Sequence, residues 1–196
     1  MEYTAKTFSF PELDGISKKT MDEHLGLYQG YVKNFNAISA KLTEYAKEDT
    51  EKHAHALSEL IRRRSFEFGG MRLHELYFPQ FEGGAKALDE TSDLGKALKK
   101  EYMGYFQDYF KAIGNMRGPG WALLYWDNEA EQFLAGFTGE QHQGHFVTLP
   151  VILALDVWEH AFILDYGATG KGKYIDAFFK NLNWSVAEAR FMNAKG

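Results

Sequence analysis

The run Val151-Ile152-Leu153-Ala154-Leu155-Asp156-Val157-Trp158-Glu159-His160 constrains this chain more than any other stretch. Five apolar residues stop at Asp156, and His160 follows four positions later. A short apolar run of this kind reads as a buried strand. A fold that buries the strand also draws in the carboxylate that ends it, and a buried carboxylate must be paired or bound to a metal. Two readings are open. Asp156 caps a helix starting at Val157, with His160 in its first turn. Alternatively, Asp156 and His160 offer one oxygen and one nitrogen ligand to a transition metal.

The 196 residues suffice for one domain or two small ones. Aromatic residues make up 16% of the chain, enough for a packed core and for dry walls around a reactive centre. The net charge of -5 leaves no nucleic-acid footprint. The basic runs Arg62-Arg63-Arg64 and Lys99-Lys100 read as solvated helix faces. The absence of cysteine excludes disulfides, thiolate zinc sites and cysteine nucleophiles. The N-terminus lacks a charged-then-apolar signal pattern, and no apolar run approaches the roughly 20 residues needed to span a bilayer. The expectation is a cytoplasmic protein without membrane or nucleic-acid partners.

Ser17 is placed to cap a long helix. Met21, His24, Leu25, Tyr28, Tyr31, Val32, Phe35, Ile38, Leu42 and Tyr45 recur at helical steps after it. The polar segment 47–52 reads as a turn or helix end. A second helix carries Ala54, Leu57 and Ile61, and Gly69-Gly70 is expected to break or tighten it. A short helical turn with Met71, His74, Tyr77 and Phe78 then ends at Pro79. The Gly-rich segment 80–92 connects two halves. A third helix is expected from Asp93 to Ile113. Beyond Gly118-Pro119-Gly120 the pattern changes to strands at 121–126, 133–137 and 150–156, the first two joined by a turn at 127–130. Helices follow near 174–182 and 185–192. The expected class is α+β: an N-terminal long helical hairpin (1–88), then a C-terminal mixed domain (89–196) with a small three-stranded antiparallel sheet flanked by helices.

Seven histidines are present, and His24, His74 and His160 sit on apolar faces. One such histidine is ordinarily a satisfied core residue. Three of them with a strand-ending Asp156 supply three nitrogens and a carboxylate, enough for a metal site with an open position.

These residues sit in segments that resemble the iron/manganese superoxide dismutases. Asp156-Val157-Trp158-Glu159-His160-Ala161 is similar to that family's signature. Lys18 to His24 resembles its first-ligand segment, and Gly69-Gly70 followed by His74 its second. Gly118-Pro119-Gly120-Trp121-Ala122 resembles its first sheet strand. Tyr174-Ile175, Asn183-Trp184 and Arg190-Phe191 fit its closing helices. The similarity covers most of the chain in the right order.

The resemblance implies that His24, His74, Asp156 and His160 bind one iron or manganese ion per chain. The metal would alternate between its 2+ and 3+ states while superoxide is disproportionated to dioxygen and hydrogen peroxide. A non-catalytic metal-binding relative, serving as a binding or interaction module, is the alternative. Trp121 and Trp158 would stand near the metal. Glu159 would reach a metal-binding histidine of a partner subunit, which implies a homodimer and leaves a tetramer open. A carboxylate on the outer imidazole nitrogen fixes the tautomer of a ligand histidine.

The chain also departs from the family pattern. The tyrosine beside the metal usually follows the first histidine after eight residues. Tyr31 follows His24 after seven, two regular turns on one face. The gateway histidine between them is missing, and Ile163 stands where a tyrosine of the partner subunit would meet it. The paired loss predicts a more apolar funnel, with Tyr28 filling part of the vacancy. One branch of the family holds the solvent molecule on its metal with a Gln at the position of Gly70. Here the candidates are Gln141, then His142, then His145. Met71, Arg72 and Leu73 replace the usual neighbours of His74, and Phe78 stands where a tryptophan is common. Superoxide is an anion and the chain is net negative, so attraction needs a local positive field. Lys171 and Lys173 are the candidates for it.

Overall fold

The computed structural model describes residues 2–196. Helix α1 spans Lys18–Lys47 and α2 spans Ala54–Tyr77. The Ser17 side chain accepts from the Thr20 backbone N–H, so the sequence-predicted cap is present. Met21, His24, Tyr28, Val32 and Leu42 of the apolar stripe are buried on α1. The two helices form an antiparallel hairpin. Tyr45 stacks on His53 at the turn, and His24 lies beside Phe78 at the open end.

The glycine pair does not break α2, contrary to the expectation from sequence. Glycine in a helix interior costs about 1 kcal/mol relative to alanine. Here it makes room for neighbours. A Cβ on Gly69 would stand 1.9 Å from the Gln141 carbonyl oxygen, and one on Gly70 2.5 Å from Cδ1 of Tyr31. Pro79 does end the regular helix, and a 3₁₀ turn covers Phe78–Phe81.

The third helix is also revised. It divides into α3 (Asp93–Tyr102) and α4 (Phe106–Gly114). Met103 and Gly104 between them take positive φ values of 51° and 88°. A left-handed residue at a helix end closes the last carbonyls and redirects the chain.

The sheet is as expected. Strands β1 (Trp121–Asp127), β2 (Gln132–Thr138) and β3 (Val151–Asp156) pair antiparallel in the order β2-β1-β3. The central strand β1 is buried almost throughout, which explains its unbroken apolar sequence. Its register sets Trp121 opposite Asp156. Cross-strand neighbours lie close enough to touch, so the register brings that indole to the end of β3.

A 3₁₀ turn (Glu159–Ala161) and the short α5 (Ile163–Tyr166) follow β3 and have no counterpart in the sequence reading. Helices α6 (Lys171–Asn181) and α7 (Trp184–Lys195) close the chain near the expected positions. Among the described residues no helix is long and apolar enough to cross a membrane.

Candidate metal centre

Four elements deliver the four candidate ligands. His24 comes from α1, His74 from the last turn of α2, Asp156 from the end of β3 and His160 from the 3₁₀ turn. One donor atom from each lies within 4.8 Å of all the others. The Nε2 atoms of His24 and His160 are each 3.1 Å from Asp156 Oδ2, and that of His74 is 3.6 Å away. The other carboxylate oxygen, Oδ1, accepts from the Trp158 backbone N–H at 2.8 Å. Asp156 therefore turns the backbone after β3 with one oxygen and faces three imidazoles with the other. It caps no α-helix at Val157.

The cluster fits a transition metal better than it fits itself. His74 Nδ1 donates to the Gly70 carbonyl at 2.6 Å. That bond leaves the lone pair of Nε2 pointing into the cluster, where Nε2 is buried without a hydrogen-bond partner. His24 Nδ1 is likewise buried and unpaired. Burial, then the neighbouring His24, pushes the His74 imidazole down to about 3, and burial also lowers His24. Both are neutral, the state that metal binding requires. Burial works against charge on Asp156, yet His160 and His24 hold it below the usual carboxylate range. Imidazoles around one carboxylate are a donor set suited to iron or manganese.

Aromatic rings enclose the cluster. Trp121 stands edge-on to His74 with ring centres 5.1 Å apart, and Phe78 is 5.1 Å from His24. Trp158 lies parallel to His160 at 6.2 Å. Tyr31 is 5.2 Å from His74. Its hydroxyl accepts from Gln141 Nε2 at 3.0 Å, and Gln141 Oε1 accepts from Trp121 Nε1 at 2.9 Å. Of the three candidates at 141, 142 and 145, the fully buried Gln141 is thus the one joined to both Tyr31 and Trp121. His142 presents its ring to Phe66 instead. His145 Nδ1 is 3.0 Å from the Tyr125 hydroxyl, and its Nε2 is 3.1 Å from the Gln141 backbone carbonyl.

Tyr28 is buried beside His74 and Phe78, with its hydroxyl between the Lys6 backbone N–H and Glu75. Ile163 is exposed. Glu159 is exposed, and its carboxylate has no hydrogen-bond or ion-pair partner among the described residues. The Lys171 ammonium donates to the backbone carbonyls of Met116 and Gly118, so its charge is partly spent inside the fold. Lys173 is exposed and unpaired among the described residues.

Two features escaped the sequence reading. Arg63 belongs to a run read as solvated, yet its Nε donates to the buried Glu67 at 2.8 Å. Its guanidinium lies 4.2 Å over the ring of Phe66, which is itself 5.9 Å from Tyr31. The Arg-Glu spacing of four on a helix was the available signal. The second is Gln80, whose side-chain amide makes both bonds to the Ala154 backbone of β3. Its place after Pro79 gave no signal for that.

Comparison with known proteins points one way. The family model described as iron/manganese superoxide dismutases, C-terminal domain, matches residues 90–190. The iron superoxide dismutase of Saccharolobus solfataricus is 34% identical over 89% of this chain and 85% of its own. That of Sulfolobus acidocaldarius is 33% identical over 94% of this chain and 93% of its own. A mitochondrial manganese superoxide dismutase of Glossina morsitans morsitans is 28% identical over 91% and 82%.

Proposed function

The chain belongs to the iron/manganese superoxide dismutase family, and we propose that His24, His74, Asp156 and His160 hold its metal, one ion per chain. Its reaction is the disproportionation of superoxide to dioxygen and hydrogen peroxide. The observation that carries the ligand assignment is the buried, unpartnered Nε2 of His74 aimed at the other three donors. Bound there, iron or manganese would supply the one-electron exchange between its 2+ and 3+ states.

The remaining work falls to the chain itself. The aromatic walls exclude water and so strengthen every charge interaction inside them. Burial, then Asp156 and Glu67, raise the Tyr31 hydroxyl above its ordinary pKa, so it keeps its proton at neutral pH. Gln141 occupies a lone pair of that hydroxyl. The Tyr31 proton is therefore directed away from Gln141, free to be donated to a small anion. Gln141, clamped between Tyr31 and Trp121, faces the metal site and tunes it. Lys173 supplies positive charge for approach, with Lys171, held by carbonyls, and Arg63, paired with Glu67, as weaker contributors. Glu159 offers its free carboxylate to a second copy of the chain, so the working form is a dimer.

Purified protein reloaded with iron or manganese should hold about one ion per chain. His74→Ala should weaken metal binding by more than about 100-fold, since even the outer partners of metal ligands are worth 10- to 100-fold. Full metal content in His74→Ala, measured by elemental analysis, would overturn the ligand assignment.

A further inference from the structure

His145 is not joined to Tyr31 or Trp121, yet it is hydrogen-bonded at both ring nitrogens. A carbonyl oxygen only accepts, so Nε2 must carry the proton that bonds the Gln141 carbonyl. Nδ1 is then the acceptor for the Tyr125 hydroxyl. Tyr125 is on the central strand and buried, so this chain of bonds ties the backbone of residue 141 to the sheet.

That tie has a definite task. The Gln141 carbonyl also faces Gly69, where a Cβ would stand 1.9 Å from it. The side chain of Gln141 is held at its two ends by Trp121 and Tyr31. On another side of this residue the fold leaves an open groove. The groove, of about 450 Å³, is lined by Gln141, His142, His145, Gly69, Leu73 and Val151, among others. The loop between β2 and β3 could relax into that space. Contact with Gly69 limits how closely residue 141 approaches α2, and the hydrogen bond from His145 holds it on the side that faces the open space.

We propose that His145 is a positioning residue: it fixes the backbone of Gln141 and thereby the pose of the side chain that tunes the metal. The proposal rests on the reading that Gln141 faces the metal site. A side chain bonded only to its neighbours can shift by tenths of an ångström without unfolding anything, and groups outside the ligands set the potential of a metal through such distances.

The test uses metal-loaded wild type, His145→Phe, His145→Gln and Tyr125→Phe. Crystal structures read the Trp121–Gln141 and Tyr31–Gln141 separations, and redox titration reads the midpoint potential. In His145→Phe at least one separation should lengthen beyond hydrogen-bond range. The potential should shift by a tenfold change in the oxidised-to-reduced ratio, about 59 mV for one electron. Glutamine can donate to the Gln141 carbonyl and accept from Tyr125, so His145→Gln should restore both readouts most of the way. Should His145→Phe fail to fold, Tyr125→Phe carries the test through a smaller shift of the same sign. Unmoved separations in the folded variants overturn the proposal. Moved separations with an unmoved potential uphold the positioning and overturn instead the reading that Gln141 tunes the metal.

Discussion

At Gly70 the lack of a side chain decides where Tyr31 sits. The ring lies against the α2 backbone, and a Cβ there would come 2.5 Å from Cδ1. On an open helix face, Gly→Ala would stabilise by about 1 kcal/mol. Here overpacking reverses the sign, at about 1–3 kcal/mol. We expect Gly70→Ala to lower the melting temperature by several degrees, given about 2–4 °C per kcal/mol for a chain of this size. An unchanged or raised melting temperature would show that Tyr31 has room to move. The Gly69-Gly70 pair was legible in the sequence as an irregularity. Its cause was not, because Tyr31 and Gln141 approach it from remote parts of the chain. The sequence ranked Gln141 ahead of His142 and His145 through the resemblance, but not through any contact. Their spacing allows any of them to face inward, and only the fold sets residue 141 between Tyr31 and Trp121.

The elements that carry the ligands are tied to one another at their ends. The Ser17 backbone N–H and the Thr20 hydroxyl both donate to Asp165 Oδ2 at 2.8 Å. Helix α1, with His24, is thus anchored to the segment that follows His160. A carboxylate at a helix N-terminus also favours the macrodipole. Burial resists the charge on Asp165, but the bonds from Ser17 and Thr20 outweigh it and lower the pKa. A group whose folded pKa is depressed contributes stability above its unfolded value, about 3.9 for Asp. That contribution is lost as pH falls through the folded value. Asp165→Asn should therefore melt below wild type at neutral pH, with the gap closing below about pH 3. A gap of equal size at both pH values in thermal melts would refute the charge-based account. The Ser17 cap, α1, the three strands and the closing helices were all legible as local patterns. The division of α3 from α4 was not, since nothing in the apolar stripe shows that Met103 adopts a left-handed conformation.

Across the whole molecule, one half-buried cation joins the two halves. Arg190 of α7 donates to the Leu76 carbonyl at 2.6 Å, to Gln80 Oε1 at 3.3 Å and to the Ile152 carbonyl at 3.4 Å. Burial lowers its pKa to about 10, so it stays charged at neutral pH. Gln80 in turn pairs with the Ala154 backbone, two residues before Asp156. Arg190→Met keeps much of the volume and removes three hydrogen bonds. It should destabilise the protein by about 1–3 kcal/mol, as expected when buried acceptors lose a donor. A melting temperature within 1 °C of wild type would show that the junction is held by apolar packing alone. The sequence by itself determined the class of fold and the four candidate ligands, through helical and strand periodicity and through the motifs around His24, His74 and Asp156 to His160. Tertiary structure alone decided which contacts surround them: the bonds of Gln141 to Tyr31 and Trp121, the Arg63-Glu67 pair beside Tyr31, the engagement of Lys171 by carbonyls, and the Gln80-Arg190 junction. Periodicity encodes which face of an element is buried. It does not encode which atoms from 100 residues away come within hydrogen-bond range of that face.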